Sequence, residues 1–600
     1  MNDRAPERSA AGACLALLLA ASAQILFLTT TVYDAKWQEP QAHWSVPLLG
    51  LSLALLAALL KAAGALPYPE DREDGNRRPI LWLLAITGLG LVLRVYALDD
   101  MPPGFFQDEA VNANDALRLG DDPRWWLWSE SISGRPTLFL YLLSVPLRLV
   151  GTSYLSLKIV PVALGTATVL LVYFLARELF DRETALWAAF LLAACRWHFH
   201  YSRMAWEAIC VPFFASAGFL LLLRGWRSTR GPVELGAAAG SILAMGLYTY
   251  AGYRAVPAVM LLFLLVGWLV REPIETAPER APSRGRATAA AALFFALVSY
   301  PLVRFAVDNP ARFWERLEEV ALTNESTPGS SDTDGDDAFR LPPVVHQLGK
   351  SLLAFHYRGD ALIRHNLTRA PQLDPVTGIA LLLGGALAVR HLRRRSAQLL
   401  CIWCGTFVVL SSLTKEAPHA TRLLGALPAL VVLAALGLTA SLRATLPMAG
   451  RGRTIVVATI AAAILTWNFD AYFRRHANDP RIDPGFNVMA RTLCEYARAH
   501  PGETITWTEA VDYWVAPQCK FLAKGAFVPL FPLTIDRLLD HPERSFPRPL
   551  TIAVGPDIFH ASGGRIRRGG NGNPDIPFDV EPQLVRDRWG DLLYFLYRFE

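Results

Sequence analysis

The feature that most constrains this chain is a recurring run of apolar residues, each close to the length needed to cross a bilayer. A spanning helix needs about 20 mostly apolar residues, with a range of roughly 17–25. Such runs occupy 12–30, 44–66, 80–98, 156–176, 184–199, 208–223, 234–249, 254–270, 287–303, 376–390, 398–414, 421–440 and 454–468. Several are short and extend into their flanks. Composition agrees with them: 52% of the 600 residues are hydrophobic, 18% are charged, and mean hydropathy is +0.27. These values exclude a disordered chain, a disulfide scaffold, a coiled coil and an ordinary cytosolic enzyme. The expected fold class is a polytopic α-helical membrane protein. The first run holds Ala21-Ser-Ala23, but hydrophobicity continues through Phe27 and Leu28, so an uncleaved anchor is expected rather than a signal peptide.

A net charge of +5 from 58 basic residues could hint at nucleic acid. In a membrane protein, however, Lys and Arg first determine topology. Arg clusters lie at 224–230, 271–286, 390–395 and 443–453, with Arg72, Arg77 and Arg78 between the second and third runs. All of them share the cytoplasmic side, together with the N-terminus, only if residues 136–150 do not cross. That segment is short and carries Pro136, Pro146 and Arg148, so it is expected to be a juxtamembrane helix in the first exterior loop. About 13 transmembrane helices result, with the C-terminus outside.

The domain division that follows is a hairpin over 1–79, a catalytic transmembrane domain over 80–469 and an exterior tail over 470–600. Within the second, 99–155 and 304–375 are long exterior loops. Segment 325–340 is solvated and flexible by composition. The tail has β-like runs such as Thr551-Ile-Ala-Val and reads as a small soluble α/β domain. Cys494 and Cys519 both fall in it and can pair in an oxidising compartment. Cys401-Ile-Trp-Cys404 has redox spacing but sits in an apolar run, where small buried hydrophobes are expected. The Arg- and Ala-rich composition suggests GC-rich coding, hence a bacterial inner (plasma) membrane.

Polar residues at membrane depth are costly and point to function. Asp108 and Glu109 open the first exterior loop. Adjacent carboxylates point different ways, so one can accept a proton while the other orients a hydroxyl; the alternative is a helix start favoured by the macrodipole. Trp125, Trp126 and Trp128 follow and read as an interfacial belt. On the same side lie His198, His200, Arg203 and Glu207, then Tyr248, Tyr250, Tyr253 and Arg254. His356, Arg358, Asp360, Arg364, His365 and Asn366 fall in the long loop, and His419 and Arg422 in a later turn. Together they imply a polar cavity at the outer leaflet.

These motifs carry a resemblance. A span followed by Asp108-Glu109-Ala, then Arg135-Pro136 before an amphipathic run, then Ser202-Arg203 with Glu207, resembles the GT-C glycosyltransferases. The closest group is the protein-mannosyltransferase and aminoarabinose-transferase branch, with its bacterial family 39-like members. Gly246-Leu-Tyr-Thr-Tyr-Ala-Gly-Tyr-Arg-Ala-Val-Pro257, Tyr300-Pro301, Gly359-Asp-Ala-Leu-Ile-Arg-His-Asn366 and Pro418-His-Ala-Thr-Arg422 also resemble that group. The likeness covers about residues 80–470. It implies inverting transfer of a sugar from a polyprenyl-phosphate donor to an extracytoplasmic acceptor: protein, lipid or glycan. Asp108 takes the family's base position, with Glu109 orienting it or the acceptor. Arg135 stands where the family usually has Lys, and Thr137 where many members have a second Pro. Arg135, Arg203, Arg254 and Arg422 are donor-phosphate candidates. His200, Glu207, Tyr250, His365, Asn366 and His419 are substrate-binding candidates.

No cofactor is expected, and a divalent metal finds no support. Asp332-Thr-Asp334-Gly-Asp336-Asp337 has calcium-loop spacing but lacks a Glu at the twelfth position. Two rival readings stay open. One is a ligase or polymerase using pyrophosphate-linked lipid donors, which the long 304–375 loop permits. The other is a transporter or flippase, which would want repeats with broken helices in matching halves; no repeat is evident.

Overall fold

The computed structural model describes residues 78–270 (apart from 123, 125 and 133), 281–322, 343–445, 450–501, 503–507, 517–523, 550–554, 583–586, 590 and 592–599. The first two expected spans, Trp125 and segment 325–340 lie outside the described residues. Two compact units result, one of residues 97–118, 143–159 and 473–600, the other of the remainder.

In the larger unit every described apolar run is helical. Among the described residues of the whole chain, six helices are long and apolar enough to cross a membrane: Tyr154–Leu179, Glu207–Arg227, Ala251–Leu269, Ser283–Asp308, Ala420–Arg443 and Arg451–His476. Pro79–Val95, Pro232–Gly246 and Pro375–Arg390 are shorter apolar helices. Local chemistry sets their ends. Asp374 caps its helix by accepting from the Thr377 N–H at 2.9 Å, with Pro375 behind it. Gly231 precedes Pro232 at φ 87°, a left-handed start that disfavours a side chain. The run 184–199 is two helices, Arg182–Ala194 and Arg196–Tyr201, because Cys195 is extended between them. Large apolar side chains line the outside of the spans; Trp268 is 77% exposed and Val307 71%. In water that surface would be a liability, whereas lipid makes it ordinary.

Small residues bring these helices together. A Cβ at Gly236 or Gly240 would run into the carbonyls of Ala287 and Ala291 on the facing helix Ala281–Asp308. Gly384 and Gly437 meet the backbone of Leu433 and Ala380 in the same way. Such close approach is how spans associate where lipid removes the hydrophobic drive between them. Gly240→Ala is therefore expected to cost about 1–3 kcal/mol, read as a lower midpoint of thermal unfolding. An unchanged midpoint would show that these helices part without cost.

Ion pairs sort the turns into two sets. Arg443 contacts Asp181 at 2.9 Å and Glu183 at 3.1 Å; Arg453 also reaches Glu183; Arg224 and Arg227 hold Glu178 at 3.2 and 3.0 Å. At the opposite ends, His200 meets the Arg364 carbonyl at 2.8 Å, and Thr414 bridges to Ala321.

The smaller unit joins the start of the first loop to the tail. Its sheet runs Thr504–Trp507, Leu550–Val554, Leu592–Phe599, Gln583–Arg586, parallel at the first pairing and antiparallel at the other two. Helix Val488–Ala499 supplies Leu493 and Ala497 to a core with Ile505, Ala553 and Leu596. Cys494 and Cys519 are disulfide-bonded. Segment 136–150 contains helix Leu138–Leu149, with Pro146 inside. Its 12 residues span about 18 Å at 1.5 Å each, short of the ~30 Å hydrocarbon core.

Candidate active site

In the smaller unit, Asp108 and Glu109 lie in the first turn of helix Gln107–Asp121. Consecutive helical positions diverge, and the two carboxylates differ accordingly. Asp108 is half-buried, whereas Glu109 is fully buried and paired with Lys158, itself fully buried. Lys158 also sits 4.4 Å over the Tyr154 ring. The tail grips the approach to this helix. Gln518 donates to the Phe105 carbonyl at 3.2 Å, Asn114 donates to the Pro517 carbonyl at 2.7 Å, and Arg491 pairs with Asp99 at 2.7 Å. Gly104 packs so closely on Phe486 that a side chain there would enter its carbonyl. Phe105 is wedged between Tyr154 and Phe521.

The larger unit holds the other candidates. Arg135 is buried in a two-residue strand paired with Trp128–Ser129, and Thr137 beside it donates to the Trp126 carbonyl. Trp128 is not an interfacial residue: it is buried, stacked 4.9 Å from Phe305. Trp126 is anchored by its N–H on Asp122, whose carboxyl the Arg124 hydrogen bonds pull down to about 2. Arg203 is fully buried and donates to the carbonyls of Leu93 and Arg94, both at 3.0 Å, at the C-terminal end of a span. Arg254 donates to the Phe313 carbonyl at 3.2 Å and lies 3.8 Å over that ring.

Several of the substrate-binding candidates also tie loops together. His200 has both ring nitrogens engaged, one with the Arg364 carbonyl at 2.8 Å and one with the Tyr472 hydroxyl at 3.1 Å. Asn366 accepts from Arg196 and donates to the Ala370 carbonyl at 2.6 Å. Around them, Asp360, His365 and His419 converge. His365 Nδ1 is 2.9 Å from Asp360 Oδ2, and the two imidazole rings are 4.6 Å apart. Burial would raise the Asp360 pKa, but hydrogen bonds from His365 and the Ala420 and Leu362 N–H groups lower it on balance. Burial lowers the His365 pKa by more than Asp360 restores, so a neutral ring donates to a carboxylate. Burial, with His365 and Arg422 nearby, holds His419 well below its usual value of 6.5. Arg422 donates to the Thr414 hydroxyl at 2.6 Å and lies within electrostatic reach of Tyr250. Glu207 opens the short turn Glu207–Ile209 that leads into a span.

Residues 134–299 match the family of dolichyl-phosphate-mannose-protein mannosyltransferases. Structural likeness covers more of the chain. A crystal structure of ArnT from Cupriavidus metallidurans bound to undecaprenyl phosphate is 14% identical, with a TM-score of 0.54 over 86% of this chain and 98% of that one. The chain has the GT-C fold. The same enzyme in the apo state shares that GT-C fold at 12% identity, a TM-score of 0.51, and 87% and 98% coverage. A tethered-peptide complex of the Archaeoglobus fulgidus oligosaccharyltransferase is more distant, with 14% identity and a TM-score of 0.46 over 74% and 63%. No curated protein matches the sequence.

Two polar groups escaped the residue-by-residue reading as candidates, Lys158 in the smaller unit and Asp360 in the larger. Lys158 stands inside an apolar run, and a lone ionisable residue in a span is itself a signal. Asp360 was visible only as one of several polar residues in the long loop.

Proposed function

We propose that the chain is an integral-membrane inverting glycosyltransferase, moving a sugar from a polyprenyl-phosphate donor to an extracytoplasmic acceptor. The observation that carries this reading is the pairing of a half-buried Asp108 with a Glu109 locked by Lys158, at the start of a helix directly after a span. The ArnT likeness and the mannosyltransferase family match support the donor class. Asp108 takes the proton from an acceptor hydroxyl as its oxygen attacks the anomeric carbon. The bond from that carbon to the phosphate oxygen breaks on the opposite face, and the lipid phosphate leaves with both electrons. Fixed guanidinium groups stabilise its developing charge. Arg135, Arg203, Arg254 and Arg422 are the candidates for this role; Arg203, Arg254 and Arg422 also donate to backbone carbonyls. Tyr250, Glu207 and His419 remain candidates for contacting the sugar or acceptor. Expected orientation is N-terminus cytoplasmic and tail outside, in a bacterial inner membrane; the Arg clusters and the tail disulfide support it.

The test uses radiolabelled polyprenyl-phosphate sugars, one per common hexose and pentose, with envelope extract as acceptor. Membranes are sealed in either orientation. Sugar-dependent release of polyprenyl phosphate is expected only where the exterior face is accessible. Absence of release with every donor, from chain shown to be folded, would overturn the reading.

A further inference from the structure

Asp360, His365 and His419 lie on two loops far apart in sequence, and the fold brings their ligand atoms within 4.8 Å of one another. Among the described residues no other group of His, Cys, Asp and Glu has this geometry. The cluster is held from outside itself. Asp360 accepts from the Leu362 N–H at 2.9 Å and the Ala420 N–H at 2.8 Å, which locks the carboxylate and ties one loop to the other. Trp206 flanks the His365 ring at 5.4 Å. A plain structural role, a buried Asp–His pair joining two loops, accounts for Asp360 and His365. It does not account for His419. That ring abuts His365, its Nδ1 is buried with no hydrogen-bond partner, and its Nε2 is 3.8 Å from Glu416, too long for a hydrogen bond.

We propose that Asp360, His365 and His419 form a binding site for a divalent transition metal of the zinc class. Two imidazole nitrogens and a carboxylate oxygen are the ligand set of an open zinc-type site, with a fourth position left for water or an oxygen ligand. Mg2+ and Ca2+ prefer all-oxygen shells and are disfavoured here. Tetrahedral ligands at about 2.0–2.1 Å from the metal stand roughly 3.4 Å apart. Filling the site therefore displaces the His365 Nδ1 proton to solvent or to Nε2 and draws in the His419 ring, which keeps 12% of its surface exposed.

The proposal is independent of the transfer reaction, because metal binding is measured without it. Purified full-length protein, stripped with chelator, is titrated with Co2+. The expected result is a saturable visible band of tetrahedral intensity at about one Co2+ per chain, displaced by Zn2+. His419→Ala and His365→Ala are each expected to weaken binding by more than about 100-fold. His391→Ala, an exposed histidine outside the cluster, should leave it unchanged. If the cluster variants do not fold, X-ray absorption of the Zn2+-loaded parent must show two imidazoles and one carboxylate. Lack of a saturable band in the parent, or full binding by folded His419→Ala, would overturn the site.

Discussion

Asp108→Asn is expected to leave the protein inserted and folded while lowering sugar transfer by at least about a thousandfold, toward the upper end of what general-base removal costs. The substitution keeps shape and hydrogen-bonding capacity but cannot accept the acceptor's proton. Its structural cost is small. Asp108 is only half-buried, and losing a negative charge in the first helical turn costs about 0.3–1 kcal/mol. The measurement is transfer rate at saturating donor, alongside the thermal midpoint. An unchanged rate in folded protein would remove Asp108 from the chemistry. Glu109→Gln is the informative companion, because Glu109 faces Lys158 and is fully buried. A base and a positioning group differ here: the Glu109 variant should lose stability together with activity.

The second large effect is expected at Lys158. Lys158→Met removes the cationic partner of Glu109 where neither side chain reaches solvent. Breaking a buried pair from one side costs about 3–5 kcal/mol, because a desolvated charge is left uncompensated. The double variant Glu109→Gln/Lys158→Met should regain most of that stability, since a neutral amide beside a thioether leaves no buried charge. Its transfer rate should nevertheless stay roughly a hundredfold below the parent, since a small misplacement of a catalytic group costs about that much. Thermal midpoints and rates for the four chains form a double-mutant cycle. A single variant as stable as the parent would mean the pair contributes nothing. Full activity in the double variant would mean that it does not position Asp108.

The apolar runs were legible because apolar length is a local property: each described run, from 80–98 to 454–468, is largely helical. The break at Cys195 was not, since nothing in its neighbours marks an extended residue. Asp108 and Glu109 could be picked out as candidates because adjacent carboxylates follow a span, although the helix start they occupy accounts for them as well. Their support could not. Asn114 and Pro517 are 403 residues apart in sequence, and no periodicity links such distant positions. The polar loop residues also serve the backbone, a role that no local sequence pattern reveals. His200 and Asn366 read as ligands, but loops between spans contain backbone carbonyls and amides that need partners as much as a substrate does. Trp128 misled for the opposite reason. It sits among aromatic neighbours typical of a membrane interface, yet Phe305 and Phe313 cover it.

The grip of the tail on Phe105 and Asn114 also sets a schedule. A ribosome completes residues 97–118 long before it reaches 473–523, so the loop bearing the two carboxylates must wait, unclamped, for the last fifth of the chain. Oxidation of Cys494 and Cys519 comes later still. Synthesis that stops early therefore yields a membrane-inserted chain with its acids in place but without the segment that seats them.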